Sequence, residues 1–408
     1  MGKFLPCPLP CHSDNRRQDS DQSSQPTSSS SSSSLSSQSS LPSVPSLTPL
    51  PQTLDHSARR RCLATLSGHS SYIFSLAVAG KRLFSGASNG EIRVWDRNNL
   101  YSPPQQNYVV LEGHSAVKSI VVLNDKLFTA HHDHKIRVWK IETQKKFKLI
   151  ATLPTVNDRC MKIFSARNYV EIRRHKKCTW VHHVDTVSGL ALSGDGLLLY
   201  SVSWDRTMKV WRARDFKCVE SIQNAHDDAI NAVVLSRGGL VFTGSADKLI
   251  KVWKRGDKNK HSLVGVLEKH KSAINALALS EDGSVLYSGA CDRSIIVWEK
   301  GGAAGWAVAG ALRGHKKAIL CLAVVRDLLC SGSADKTVRI WRRGSGNSYS
   351  CLAVFEGHKS PVKCLTASLD FDNNNNSDKN SDDLGNSYLV YSGGLDFDIK
   401  VWQIWVPS

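Results

Sequence analysis

Apolar and polar residues alternate along most of this chain in short runs, and the runs come in groups of four. The first group reads Ile-Phe-Ser-Leu-Ala-Val (73–78), Arg-Leu-Phe-Ser-Gly (82–86), Glu-Ile-Arg-Val-Trp (91–95) and Tyr-Val-Val-Leu (108–111). A period of two marks half-buried strands, and turn-formers such as Ser88-Asn89-Gly90 separate them. The third run of a group closes on Trp after β-branched residues, as in Ile-Lys-Val-Trp (250–253) and Val-Arg-Ile-Trp (338–341).

This grouping recurs seven times. Six residues before each closing Trp stands an acidic or amide residue, giving Asn89/Trp95, Asp133/Trp139, Asp205/Trp211, Asp247/Trp253, Asp292/Trp298, Asp335/Trp341 and Asp396/Trp402. Upstream of each pair lies a His: His69, His114, His183, His226, His270, His315 and His358. Four strands in a unit of about 42 to 45 residues is the arithmetic of a propeller blade and not of a helical solenoid. Six residues follow Trp402, too few for a turn and an outer strand, while Cys62-Leu-Ala-Thr-Leu66 carries the outer-strand pattern ahead of the first blade. That segment is expected to complete blade seven and so remove the open edges of the ring.

Two units are longer than the rest. An insertion spans about 140–182, where either Lys148–Leu153 or Cys178–His182 could complete blade two, and a flexible loop is expected over about 370–387. Residues 1–60 are dominated by Ser, Pro and Gln, with unbroken Ser from Ser28 to Ser34. Such a stretch buries too little apolar surface to offset its ordering entropy, so it is expected to be a disordered tail, with the propeller over 61–408.

The paired residues Gly68-His69, Gly113-His114, Gly314-His315, Gly357-His358 and Trp95-Asp96 resemble the WD40 family, over roughly 62–402. Elsewhere Lys, Arg, Glu or Gln follows the closing Trp. The expected fold is therefore all-β, a seven-bladed β-propeller of WD40 repeats. Asn-Tyr-Val-Glu-Ile-Arg-Arg-His (168–175), Ser-Trp-Asp-Arg-Thr (203–207), Ala-His-Asp-Asp-Ala-Ile-Asn-Ala (225–232) and Glu-Lys-His-Lys-Ser-Ala (268–273) narrow the likeness. They resemble the plant Jingubang-type subfamily, which implies a non-enzymatic regulatory protein acting through partners in cytosol or nucleus.

The resemblance assigns structural tetrads of His, Ser or Thr, Asp and Trp: His114, Thr129, Asp133, Trp139; His183, Ser201, Asp205, Trp211; His226, Thr243, Asp247, Trp253; His270, Ser288, Asp292, Trp298; His315, Ser331, Asp335, Trp341; and His358, Ser392, Asp396, Trp402. A hydrolase would need one exposed nucleophile beside an oxyanion hole, whereas these groups repeat at one register, which argues for scaffolding. In blade one Asn89 takes the Asp position, so its imidazole is expected to lack a charged acceptor and the blade to be looser.

The resemblance also makes the His-loop face the partner surface. The third and fifth residues after each His (the second and fourth in blade two, where the loop is one residue shorter), and the residue before each turn Asp, give Tyr72, Phe74, Lys118, His132, Trp204, Asn231, Asn275, Leu320 and Lys363 as candidates. Exposed aromatics beside a cation are the composition of a binding hot spot. Arg173, Arg174, His175, Lys176 and Lys177 form a basic patch in the insertion, read either as a nuclear-localisation or nucleic-acid signal or as a solvated loop.

Composition adds less. A net charge of +17 favours acidic partners. The eleven cysteines contain no C-x-x-C pair, so no zinc site is expected, and Cys62, Cys218 and Cys351 recur at one outer-strand position as packing residues. No apolar run is long enough to span a membrane, which, with scattered cysteines, suggests a soluble cytoplasmic or nuclear protein. No glycine-rich phosphate loop, metal cluster or lone nucleophile stands out, so no enzyme and no cofactor is expected. The leading reading is a monomeric protein-interaction scaffold. Two others stand behind it: a substrate receptor of a cullin–RING ubiquitin ligase, for which Asn98 stands where the Trp-Asp-x-Arg pattern wants Arg, and an RNA or single-strand binder.

Overall fold

A computed structural model describes residues 44–48, 59–99, 108–111, 113, 115–143, 146–163, 169–173, 176–257, 259–301, 305–344, 348–370 and 385–407. Among these residues lie seven four-stranded antiparallel sheets. Their innermost strands are Ile73–Ala79, Val117–Leu123, Val187–Leu192, Ile230–Leu235, Ile274–Leu279, Ile319–Val325 and Val362–Leu369. Each packs against the next, and the last packs against the first, so the ring closes. The first blade runs Ile73–Ala79, Arg82–Ala87, Ile92–Asp96 and Tyr108–Leu111, within a residue of the boundaries set by the alternation.

The core sits between blades because each sheet is apolar on both faces. Ile73, Leu83, Trp95, Ile399 and Val401, for example, form one buried cluster across the seam of blades seven and one. Arg59–Leu66 pairs antiparallel with Ile399–Pro407 and becomes the outer strand of blade seven. On the outer strands Cys62, Cys218 and Cys351 face Trp402, Trp211 and Trp341 across the ladder. Cys218 and Cys351 are buried, but Cys62 is exposed and so is not a packing residue.

In the insertion, Phe147–Leu153 completes blade two, which settles the choice between the two runs. The other run only begins in a strand, with Cys178 and Thr179 ending a separate hairpin of Tyr169–Arg173 with Lys176–Thr179 and Trp180–His182 lying beyond it. Between them stands a helix, Val156–Ile163, that the alternation did not announce. Thr155 caps it, its Oγ1 accepting from the Asp158 amide at 3.2 Å. Asp158 in turn accepts from the Cys218 amide at 3.1 Å, and the buried Lys209 Nζ donates to the Trp180 carbonyl, so both ends of the insertion are tied to blade three. Arg174 and His175 lie outside the described residues, as do the side chains of Arg173, Lys176 and Lys177.

Two boundaries need correction. Residues 385–387 are not loop but the start of the strand Gly385–Gly394; 371–384 lie outside the described residues. Nor is all of 1–60 a detached tail. Val44–Thr48 lies on the propeller, and the strand that closes the ring begins at Arg59. Val44 and Leu47 each bring an apolar side chain to a seam between blades, which repays the ordering of so short a segment.

Candidate protein-interaction face

The turn between the second and third strands of each blade is held by a chain of side-chain hydrogen bonds. In blade three the Trp211 indole N–H donates to Ser201 Oγ at 2.8 Å, that hydroxyl meets His183 Nε2 at 2.8 Å, and His183 Nδ1 meets Asp205 at 3.0 Å. The same chain links Trp253, Thr243, His226 and Asp247. It recurs through Trp298, Ser288, His270 and Asp292, and through Trp341, Ser331, His315 and Asp335. Trp402, Ser392, His358 and Asp396 repeat it in blade seven. The hydroxyls Ser85, Thr129, Ser201, Thr243, Ser288, Ser331 and Ser392 are wholly buried, so no substrate reaches them.

Burial pushes the His183 and His315 imidazoles below their ordinary pKa, which keeps them neutral with one N–H to give. Burial alone would raise Asp205. The His183 partner, the Thr207 hydroxyl and the Val184 amide together hold that carboxyl well below the usual carboxylate range.

Blades one and two depart from this pattern. In blade one Trp95 and His69 still meet Ser85, at 2.8 and 2.6 Å, but the carboxylate on His69 Nδ1 is Glu91, at 3.2 Å. The imidazole of blade one therefore keeps a charged acceptor, and the expected reason for a looser blade is absent. In blade two Trp139 donates to Thr129 at 3.0 Å, and the ring nitrogen on that hydroxyl belongs to His131, at 2.8 Å. His131 Nδ1 bonds the Ser115 carbonyl, and Asp133 pairs with Arg137. His114 itself lies outside the described residues. Burial brings both His69 and His131 down to about 4.

These networks fix the turns of the His-loop face. The residue after each turn Asp or Asn takes a left-handed conformation: Gly90, His134, Arg206, Lys248, Arg293, Lys336 and Phe397, with φ from 66° to 90°. At one sector of that face, aromatic side chains gather across four neighbouring blades. Lys118 of blade two places Nζ 4.1 Å from the ring centroid of Phe74 in blade one and 5.2 Å from that of Trp204 in blade three. Phe74 meets Tyr72 at 6.4 Å, and Tyr72 meets Phe397 of blade seven at 5.4 Å. His132 stands edge-on to Trp204 at 6.4 Å and bonds Thr186 Oγ1 at 2.6 Å. Burial, then the neighbouring Lys118 charge, lowers the pKa of His132, so the sector carries its positive charge on Lys118.

Tyr72 is 47 % exposed and Phe397 39 %, and Phe74, Lys118 and Trp204 are half-buried. The sector thus holds Tyr72, Phe74, Lys118, His132 and Trp204 together and adds Phe397, which follows its turn Asp where the candidates precede theirs. The remaining four candidates are placed differently. Asn231 and Asn275 donate from Nδ2 to the carbonyls of Ile274 and Ile319 in the following blades, so they clip blades together. Leu320 is buried, and Lys363 is half-buried on blade seven.

Trp95-Asp96-Arg97 also has a structural explanation. Arg97 reaches the neighbouring blade, donating to the Tyr391 hydroxyl at 2.9 Å and to Ser368 Oγ at 2.6 Å, and its guanidinium lies over the Tyr391 ring. Among the described residues no helix is long and apolar enough to cross a membrane, and no group of three or more His, Cys, Asp or Glu could hold a metal.

The sequence is similar to the ribosome biogenesis protein YTM1 of Eremothecium gossypii, 24% identical over 230 residues, covering 52% of this chain and 51% of that one. It is similar to the nuclear distribution protein nudF of Aspergillus niger, 24% identical over 231 residues (49% of this chain, 44% of that one). It is also similar to the pre-mRNA-splicing factor cwf17 of Schizosaccharomyces pombe, 35% identical over 108 residues (26% and 29%). The chain thus spans about half or less of the length of these relatives. The description "WD domain, G-beta repeat" matches residues 60–96, 105–140, 175–212, 216–254, 261–299, 306–342 and 349–403. With one match for each blade, the chain belongs to the WD40-repeat family, whose propellers are in general protein-interaction scaffolds without enzymatic activity.

Proposed function

We propose that this protein is a non-enzymatic scaffold that binds another protein on the sector Tyr72, Phe74, Lys118, His132, Trp204 and Phe397. The observation that carries this reading is the Lys118 ammonium set between the Phe74 and Trp204 rings, with Tyr72 and Phe397 exposed beside it. Elsewhere on the face small residues stand at the equivalent positions, among them Ala246, Ala273, Ala318 and Ala334. Rigid aromatic area around one cation suits an acidic or amphipathic peptide surface.

The likeness to the Jingubang-type subfamily supports a plant regulatory role in cytosol or nucleus, with the propeller acting as a monomer. Relatives named for ribosome biogenesis, nuclear distribution and pre-mRNA splicing fit a scaffold of some kind and do not favour one pathway. The ligase-receptor reading gains nothing from Arg97, whose guanidinium is engaged by blade seven.

The test is affinity purification from cells with the wild-type chain and a Tyr72→Ala, Phe74→Ala, Trp204→Ala triple variant, with thermal unfolding of both. Partners lost from a folded triple variant support the sector. Partners retained in full would overturn it. Capture abolished by ribonuclease, with a steep salt dependence, would replace it with nucleic-acid binding.

A further inference from the structure

Within the Ser/Pro-rich N-terminal region, Val44-Pro45-Ser46-Leu47-Thr48 lies on the outer edge of blade five as a short parallel extension of its last strand, Gly305–Leu312. The Ala311 amide donates to the Pro45 carbonyl at 2.9 Å, and the Leu47 amide donates to the Ala311 carbonyl at 3.0 Å. The Leu47 carbonyl then accepts from the Tyr349 amide of blade six at 2.9 Å, and Arg313 Nη2 donates to the Val44 carbonyl at 2.7 Å. Strand addition of this kind draws affinity from the main chain and specificity from alternate side chains. Here Val44 is buried beside blades four and five and Leu47 packs beside blades five and six.

The receiving surface is shaped for Leu47. A Cβ on Gly310 would meet Leu47 Cγ at 2.5 Å and Cδ2 at 2.7 Å, and the Pro45 carbonyl oxygen at 3.0 Å. The nearest atoms such a Cβ would strike all belong to the docked segment. Thr48 closes the segment at 5 % exposure, with its Oγ1 3.5 Å from the Arg313 carbonyl and 3.0 Å from Ser46 Oγ. Pro49 follows it, so Thr48-Pro49 is a site for a proline-directed kinase once the hydroxyl is exposed.

We propose that residues 44–48 are a detachable ligand held in cis by blade five, and that phosphorylation of Thr48 locks the segment in its released state. The kinase acts on the undocked segment. The bond from the γ-phosphorus of ATP to the β-phosphate oxygen breaks, a bond to Thr48 Oγ1 forms, the hydroxyl proton passes to the kinase base, and ADP leaves. The dianion cannot return, because the docked hydroxyl sits in a solvent-excluded position facing a backbone carbonyl oxygen, where negative charge is both desolvated and repelled. Release uncovers the paired main-chain groups of Ala311 together with the apolar seams that Val44 and Leu47 covered.

The experiment uses the full-length chain. Amide hydrogen exchange is followed at Leu47, Ala311 and Tyr349 before and after stoichiometric phosphorylation of Thr48 by a proline-directed kinase with ATP. Exchange at all three is expected to accelerate at least tenfold while the innermost strands are unchanged; undiminished protection would overturn the proposal. Gly310→Ala should expel the unmodified segment, so that Thr48 is phosphorylated several-fold faster than in the wild type. Equal initial rates would count against it.

If Gly310→Ala fails to fold, a Leu47→Asp chain with a vacated edge serves instead. A labelled peptide of residues 41–50 is expected to bind it and not the wild type, and the Thr48-phosphorylated peptide to bind at least tenfold more weakly. Absence of peptide binding, or equal binding of the two peptides, overturns the proposal.

Discussion

Glu91 reaches back to within 3.2 Å of His69 Nδ1 and accepts in blade one the hydrogen bond that an Asp two positions earlier accepts in other blades. Asn89, at the usual Asp position, is left with a turn function: its Oδ1 accepts the Glu91 amide at 3.0 Å. Arg93 holds the second Glu91 oxygen at 2.6 Å, so the carboxylate is fixed from both sides.

Glu91→Ala is therefore expected to destabilise the protein by about 2 kcal/mol, since it strands a buried imidazole and an arginine. Asn89→Ala removes two more exposed turn hydrogen bonds, from the Glu91 amide to Oδ1 and from Nδ2 to Ser70 Oγ, and should cost less, about 1 kcal/mol. Thermal unfolding of both variants checks the order. A larger loss for Asn89→Ala would return the acceptor role to position 89. Amide exchange in blade one should match that of its neighbours in the wild type.

The pH dependence follows from the same buried histidines. His69 and His131 titrate near 4 in the folded protein against an ordinary 6.5, because burial disfavours the imidazolium. Between those values the unfolded chain binds more protons than the folded one, so stability falls as pH drops through this window and is full above 6.5. Asp205 and Asp335, both depressed, add a further loss only when pH falls below 3.8. The melting temperature should hold from pH 8 to about 7 and then decline steadily to about 5. A flat profile from pH 7 to 5 would show that these histidines do not stay neutral in the fold.

The fold was legible because a spacing of Asp, or Asn in blade one, to Trp recurs seven times and repeats one local solution, and register follows from it. Exceptions to the repeat were not legible, and each has a spatial cause. Glu91 takes the acceptor role from a position two residues beyond Asn89, and His131, two residues beyond Thr129 on the same strand, folds back onto that hydroxyl, a contact that linear spacing assigns to the upstream His. Val44 and Leu47 carry too little apolar area to signal order, and they dock only because a distant glycine leaves room. The aromatic sector was partly visible, since Tyr72, Phe74, Lys118, His132 and Trp204 occupy equivalent loop positions. Asn231 and Asn275 occupy the same positions and look like surface, yet their amides span to a carbonyl of the next blade.

Arg97 marks the seam where the ring closes, donating to the Gly80 carbonyl in its own blade and to Tyr391 and Ser368 in blade seven. A planar fork is needed to serve all three acceptors. Arg97→Lys should lose most of what Arg97→Ala loses, about 1–3 kcal/mol. Chemical denaturation compares the two; a Lys variant as stable as wild type would mean that charge alone closes the seam.

Phe397 combines a left-handed backbone with a place in the proposed binding sector. Its φ of 71° lies in the left-handed region, where a bulky side chain costs roughly 1–2 kcal/mol and where blade one uses Gly90. Nothing in the core needs this ring: it is exposed and touches Tyr72 on the partner sector. Phe397→Gly should leave thermal stability unchanged or raise it by up to about 1 kcal/mol, since relief of strain is set against the entropy of a new glycine. The same variant should capture less partner than wild type in a pull-down at matched concentration. Full capture by a stabilised variant would remove Phe397 from the sector. A clear loss of stability would instead make its contact with Tyr72 part of the fold.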